Sequence, residues 1–176
     1  MNSEGASEDG NGSGGAVNVE PGREAFVYAA VIEQLVEESR LGPRDKAPFK
    51  VLFVLDGAVP DAAKATAQDD PAEPFSHDVK DGIRFLAELG DLPPVEFVAT
   101  RKSAVVGTAS GKRAGRAKDG GAVISLGLIE GQKNRVEIGN SLWVDGLWGT
   151  WQTYVVAQMD GTWRVTGTTG PVAISY

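Results

Sequence analysis

From residue 21 onward the chain changes its hydrophobic period twice. In PGREAFVYAAVIEQLVEESRLGP, residues 21–43, Val31, Ile32, Leu35 and Val36 recur at helical spacing while Glu33, Gln34, Glu37 and Glu38 form a polar side. That spacing predicts an amphipathic helix packed on a sheet. Pro21 suits a first helical turn, and Leu41-Gly42-Pro43 stops the helix. FKVLFVLDG, residues 49–57, is a short apolar run ending in Asp-Gly and predicts a strand. Residues 58–75, rich in Ala, Pro and Asp, predict a long surface loop. A second helix is expected after Ser76, a suitable N-cap, with Val79, Ile83, Leu86 and Leu89 as its buried stripe and Gly90, Pro93 and Pro94 closing it. VEFVAT and SAVVGT are short strand candidates.

After residue 121 the period becomes two. GAVISLGLIE, NRVEIGNSLWV, WQTYVVAQM and TWRVTG predict successive antiparallel strands, with PVAIS as a short last one. Asp160-Gly161 is the clearest turn, since Asp-Gly suits a two-residue type I′ hairpin. That turn sets a register: Met159 opposite Thr162, Gln158 opposite Trp163, Val156 opposite Val165. Tyr154, Val156, Trp163 and Val165 then form a core face. On the preceding strand Val136, Ile138, Leu142 and Val144 share one face, and Arg135, Glu137, Ser141 and Trp143 the other, polar one. With a loop centred near Leu147, Trp143 and Trp151 become cross-strand neighbours on the outer face, and Trp148 sits at the loop tip between Gly146 and Gly149. Trp143, Trp148 and Trp151 are therefore the candidate ligand- or partner-binding residues, able to stack on a sugar, a peptide or another subunit. The alternative is that a loop or the second helix simply covers them.

Composition changes this picture mainly at the ends. Residues 1–20 are dominated by Gly, Ser, Asn and acids and contain no Lys, Arg or aromatic side chain, so they predict a disordered tether ahead of one domain spanning 21–176. Glu4, Glu8, Asp9 and Glu20 supply −4 of the net −7, leaving −3 for the rest. The chain has no cysteine, which excludes disulfides and thiolate metal sites. No apolar run approaches a membrane span, and Met1 is not followed by a signal peptide. Two localisations are open: a cytoplasmic protein with a ragged start, or an extracytoplasmic one given without its signal segment.

Few motifs carry chemistry. The sole histidine, His77, follows a helix N-cap with no HExxH spacing and no GxSxG nucleophile elbow elsewhere, which makes it a surface residue and leaves no metal site. GTASGKRAG, residues 107–115, fails as a phosphate loop because its glycine spacing is short and Arg113 stands where Ser or Thr is needed. Arg101, Lys102, Lys112, Arg113, Arg116 and Lys118 carry six positive charges with no acid before Asp119. The segment predicts a flexible basic loop, and Lys112, Arg113, Arg116 and Lys118 are its candidate anion-binding residues, for phosphate or peripheral contact with anionic lipid, against the plainer reading of a solvated hairpin loop, which is preferred. It lacks interleaved aromatics and the domain is not basic, which argues against sequence-specific nucleic-acid binding. Asp56 ends a hydrophobic strand, where a carboxylate enters either a pocket or an ordinary turn. No cofactor motif is present.

The segment from ISLGLIE through SLWVDGLWGTWQTYVVAQMDGTWRVTG to PVAIS resembles the C-terminal part of small exported bacterial proteins and lipoproteins of unassigned function. In that group a Ser-Leu-Trp strand enters a glycine-rich loop, followed by a Tyr-Val strand and a Gly-x-Trp-x-Val hairpin, here Gly161 to Val165. Relatives often place two cysteines where Val144 and Trp148 stand, so the resemblance implies apolar packing in place of a loop disulfide. It covers the last third of the chain and implies no activity. The expected fold is α+β, two helices on one side of a mostly antiparallel sheet. The expected function is a non-enzymatic binding or accessory domain of the cell envelope. The alternatives are a small cone-shaped α+β enzyme with Asp56 in a pocket, and surface attachment through the basic loop.

Overall fold

The computed structural model describes residues 21–41, 49–66, 69–108 and 114–175. The tether of residues 1–20, and Lys112 and Arg113 of the basic segment, lie outside the described residues. The elements are α1 (Arg23–Arg40), β1 (Leu52–Ala58), α2 (His77–Leu89), β2 (Val95–Val98), a 3-10 turn (Arg101–Ala104), β3 (Val105–Thr108) and β4 (Ala114–Ala117). They continue with β5 (Ala122–Leu126), β6 (Glu130–Gln132), β7 (Arg135–Asp145), β8 (Trp148–Met159) and β9 (Thr162–Ser175). Nine strands form one sheet: β2-β1-β5-β7-β8-β9, with β4 and β3 added at one end of β7 and β6 at the other. β1 is parallel to β2 and β5, and the remaining pairings are antiparallel. The fold is α+β with a mostly antiparallel sheet, as the change of period predicts.

Strand alternation divides the apolar residues between two clusters. The first joins Val27, Val31, Ile32 and Leu35 of α1 and Ile83 of α2 to Leu52, Val54, Ile124, Ile138, Leu142, Tyr154, Val156 and Trp163. The second is smaller and takes the other parity: Phe53, Leu55 and Val123 under Val59, Ala62, Val98, Ala104 and Ala117. Arg23 fastens the start of α1 to the β6–β7 hairpin, donating to the carbonyls of Gln132 and Lys133. Ser76 caps α2, its Oγ accepting from the Val79 N–H at 3.2 Å.

Four expectations need correction. The buried face of α2 is Gly82, Ile83 and Ala87, whereas Leu89 is 73% exposed. TWRVTG and PVAIS are one 14-residue strand, β9, bent where Thr166 is an extra residue and where Gly170–Val172 stand opposite Gln152 alone. The basic segment is not one loop, because β4 lies within it and pairs with β3. Residues 58–75 do not all run over the surface: Val59 and Ala62 are buried in the second cluster.

Candidate functional site

The Asp160-Gly161 turn has positive φ at both residues, 51° and 77°, as a type I′ turn requires. The pairs Met159–Thr162, Gln158–Trp163 and Val156–Val165 form as the sequence predicts. Trp163 is 9% exposed and packs in the first cluster, with the Arg23 guanidinium 5.3 Å from its ring.

The other three tryptophans divide differently from the expectation. The β7–β8 turn is tighter than a loop centred on Leu147, and its register shifts between Trp143 and Asp145. Trp143 therefore pairs with Gly149 and Trp151 with Ser141, so the two indoles are diagonal rather than direct neighbours. They still meet. A Cβ at Gly149 would lie 2.6 Å from the far end of the Trp151 ring and 3.2 Å from the Trp143 ring, so the glycine lets both indoles close over it. Trp148, of opposite parity to Trp151 on β8, faces the other side, where it stacks on Phe49 with centroids 5.6 Å apart and ring planes 27° apart. Trp148 is not at a loop tip; it opens β8.

The polar face expected around Trp143 is largely covered. Ser125 and Ser141, cross-strand partners in this face, are each 1% exposed, and Trp143 packs on the second cluster. Trp151 is half-buried and belongs to neither cluster.

Beside Trp151 the same face opens into a cleft of about 680 Å³. Gly139, Thr153 and Ala173 form its floor, and Val59–Ala65 form one wall. Ala173 is the direct partner of Trp151, and Thr153 is two residues along on the same strand face. The wall touches the floor at Gly139, where a Cβ would meet the Ala63 backbone nitrogen at 3.3 Å. The rim is polar: Asp61 and Lys64 form an ion pair of 3.0 Å, and Glu130 and Glu137 stand directly opposite each other on β6 and β7. Like charges in direct register weaken a ladder, so this rim suits a ligand offering hydrogen-bond donors. The sequence hinted at the cleft only through Gly139, a small residue within the otherwise regular strand β7. Its wall comes from the segment expected to be loop.

Of the remaining candidates, Lys118 and Asp56 have structural partners, while Arg116 and His77 are exposed. Arg116 is exposed on β4, and Lys118 Nζ lies 5.4 Å from the centre of the buried Phe53 ring. Asp56 lies inside β1, not at its end; its Oδ2 pairs with Lys80 Nζ at 3.0 Å and its Oδ1 accepts from the Phe75 N–H at 3.1 Å. His77 is exposed at the first position of α2.

Two polar groups carried no signal of their own in the sequence. Arg101 Nη2 donates to Ser125 Oγ at 2.9 Å, while its Nε is buried without a partner. Burial lowers the Arg101 pKa and Asp70 partly offsets this. On the helix-covered side Tyr154 donates to Glu38 at 2.6 Å, and Gln152 donates to both Tyr154 and Glu38. Burial first, then the bond and charge of Glu38, raise the Tyr154 pKa.

Comparison with protein-family models, with curated proteins and with solved structures finds no match.

Proposed function

We propose that this chain is a non-enzymatic binding domain of the cell envelope, and that the cleft beside Trp151 takes a small polar ligand with one flat face, such as a sugar ring. The observation that carries the reading is a cleft with carboxylates at its rim, whose floor residues Thr153 and Ala173 are the strand neighbours of the half-buried Trp151. An aromatic face beside convergent polar groups is a common way to hold such a ligand. In this reading both helices lie on one side of the sheet, which agrees with their shared cluster and leaves the other side for binding. The envelope location rests on the resemblance of the C-terminal third and on the composition of residues 1–20. The rival enzyme reading depends on Asp56, and the engagement of both its oxygens favours binding over catalysis.

The test is a fragment screen, including free monosaccharides, read through the indole N–H signals in proton–nitrogen NMR spectra. Bound fragments should shift the signals of Trp151 and Trp143 and leave that of Trp163 in place. If no fragment moves the Trp151 signal, the cleft is not a ligand site.

A further inference from the structure

The long outer edge of β9 offers a second, independent surface. Among the described residues β9 pairs with β8 alone, so its other edge carries no ladder. Among the described residues the sheet has three other edge strands, and all are short: β2 has four residues and includes Glu96, β3 has four, and β6 has three and includes Glu130. Short and charged edges resist pairing with another chain. The distal half of β9 is guarded in another way, by its bulges and by Pro171, which lacks an N–H. The regular stretch next to the turn, Thr162–Val165, has no such guard.

The turn fixes which backbone groups face outward there. In a two-residue hairpin the flanking residues, Met159 and Thr162, exchange both their hydrogen bonds, and so do Ala157 and Arg164 one step on. The intervening residues point away. Gln158 obeys this, its N–H turning from β9 to the Asn134 carbonyl at 2.8 Å. By the same alternation the N–H and C=O groups of Trp163 and Val165 point outward.

Beside these groups runs a groove of about 500 Å³ between β9 and α1. Its helix wall is Ala30, Glu33, Gln34 and Glu37, positions that share one face of α1. The Trp163 and Val165 side chains lie on the helix side of the sheet, so a cation on that side meets Glu33 and Glu37. Arg164 also borders the groove, but its side chain takes the opposite parity. Arg40 reaches Glu37 at 3.7 Å from an exposed position, a weak and screened competitor. Arg23 is held at the other end of α1 by the β6–β7 carbonyls.

We propose that this groove receives an extended peptide that adds a strand to β9 at Trp163 and Val165 and places Lys or Arg side chains against Glu33 and Glu37. The backbone supplies the pairing and the two glutamates select a basic segment.

The test uses the full chain and a capped synthetic peptide of alternating lysine and valine, with a glutamate–valine peptide of equal length as control. Amide hydrogen exchange is read residue by residue by NMR. At roughly ten times Kd of the basic peptide, exchange at Trp163 and Val165 should slow about tenfold, because opening requires release of the peptide. The amides of Thr162 and Arg164, already bonded to β8, should change little. Glu33→Lys with Glu37→Lys alters only exposed positions of α1 and should switch the preference to the acidic peptide. Equal protection by the two peptides, or none by either, overturns the proposal. So does protection of Trp163 and Val165 without peptide that grows with protein concentration, since a second copy would then occupy the edge.

Discussion

The two faces of the β7–β8–β9 sheet are built from the same strands, yet they are held in different ways. On the helix-covered face Tyr154, Val156, Trp163, Ile138 and Leu142 join one cluster with α1 and α2. On the other face Trp143 rests on a small cluster under short segments, and Trp151 on a glycine, with a cleft beside it. A continuous helix covers its face wherever apolar residues recur. Short turns cover theirs only in patches, and the gap between patches is where a ligand can enter. The difference teaches that aromatic content alone does not mark a core; what lies above the ring does.

Removing Trp163 should break the helix-covered face most severely. Trp163→Ala empties a site buried to 91% and leaves the Arg23 guanidinium without its ring, at an expected loss of about 3–5 kcal/mol in urea unfolding. A loss below about 1 kcal/mol would mean that the face repacks as freely as a surface.

The same face should govern behaviour in alkali. Tyr28 and Tyr154 are both buried against ionisation, and Tyr154 also faces the Glu38 carboxylate. Their folded pKa values stand above the unfolded value of about 10, so their contribution to stability is complete below that pH and is lost as pH rises toward the folded values. Phenolate absorbance should therefore show delayed ionisation of both, coincident with loss of the fold. Early ionisation of both at an ordinary tyrosine pKa would contradict the packing.

How much of this was legible depended on how far away the deciding contact lay. The Asp160-Gly161 turn is local, so the β8–β9 register and the burial of Trp163 followed from a few adjacent residues. The helix ends were legible for the same reason, through Ser76 and the Leu41-Gly42-Pro43 stop. The β7–β8 turn carries no comparable signal, because Asp145-Gly146-Leu147 accommodates more than one register, and a shift in register made Trp143 and Trp151 diagonal rather than direct neighbours. The cover over Trp143 was illegible, since Val59, Ala62, Ala104 and Ala117 come from three separate segments of small residues with no period. The cleft inherits that difficulty: its floor is in the sheet and its wall lies about seventy residues or more upstream of Gly139.

The outer face should respond more mildly, and Gly149 sharpens the distinction. Gly149→Ala must displace the far end of the Trp151 indole, which can swing toward the cleft, so we expect a loss of about 1–2 kcal/mol rather than unfolding. Tryptophan emission should move to longer wavelength as that ring becomes wetter. An unchanged spectrum with a larger loss of stability would place Trp151 in a closed site.

The smallest effect on stability belongs to Trp151 itself. It is half-buried, belongs to neither cluster, and leans on Gly149 and Trp143. Trp151→Ala should cost about 1 kcal/mol or less, less than Trp143→Ala, because Trp143 also packs on the second cluster. The two rings share the space above Gly149, so the double substitution should depart from additivity by about 0.5 kcal/mol or more. Binding should reverse the ranking. Any fragment found in the cleft should weaken more with Trp151→Ala than with Trp143→Ala, since Trp151 is the ring paired with the floor residue Ala173. Equal and large destabilisation by both substitutions would make the outer face a second core, and the contrast between the two faces would disappear with it.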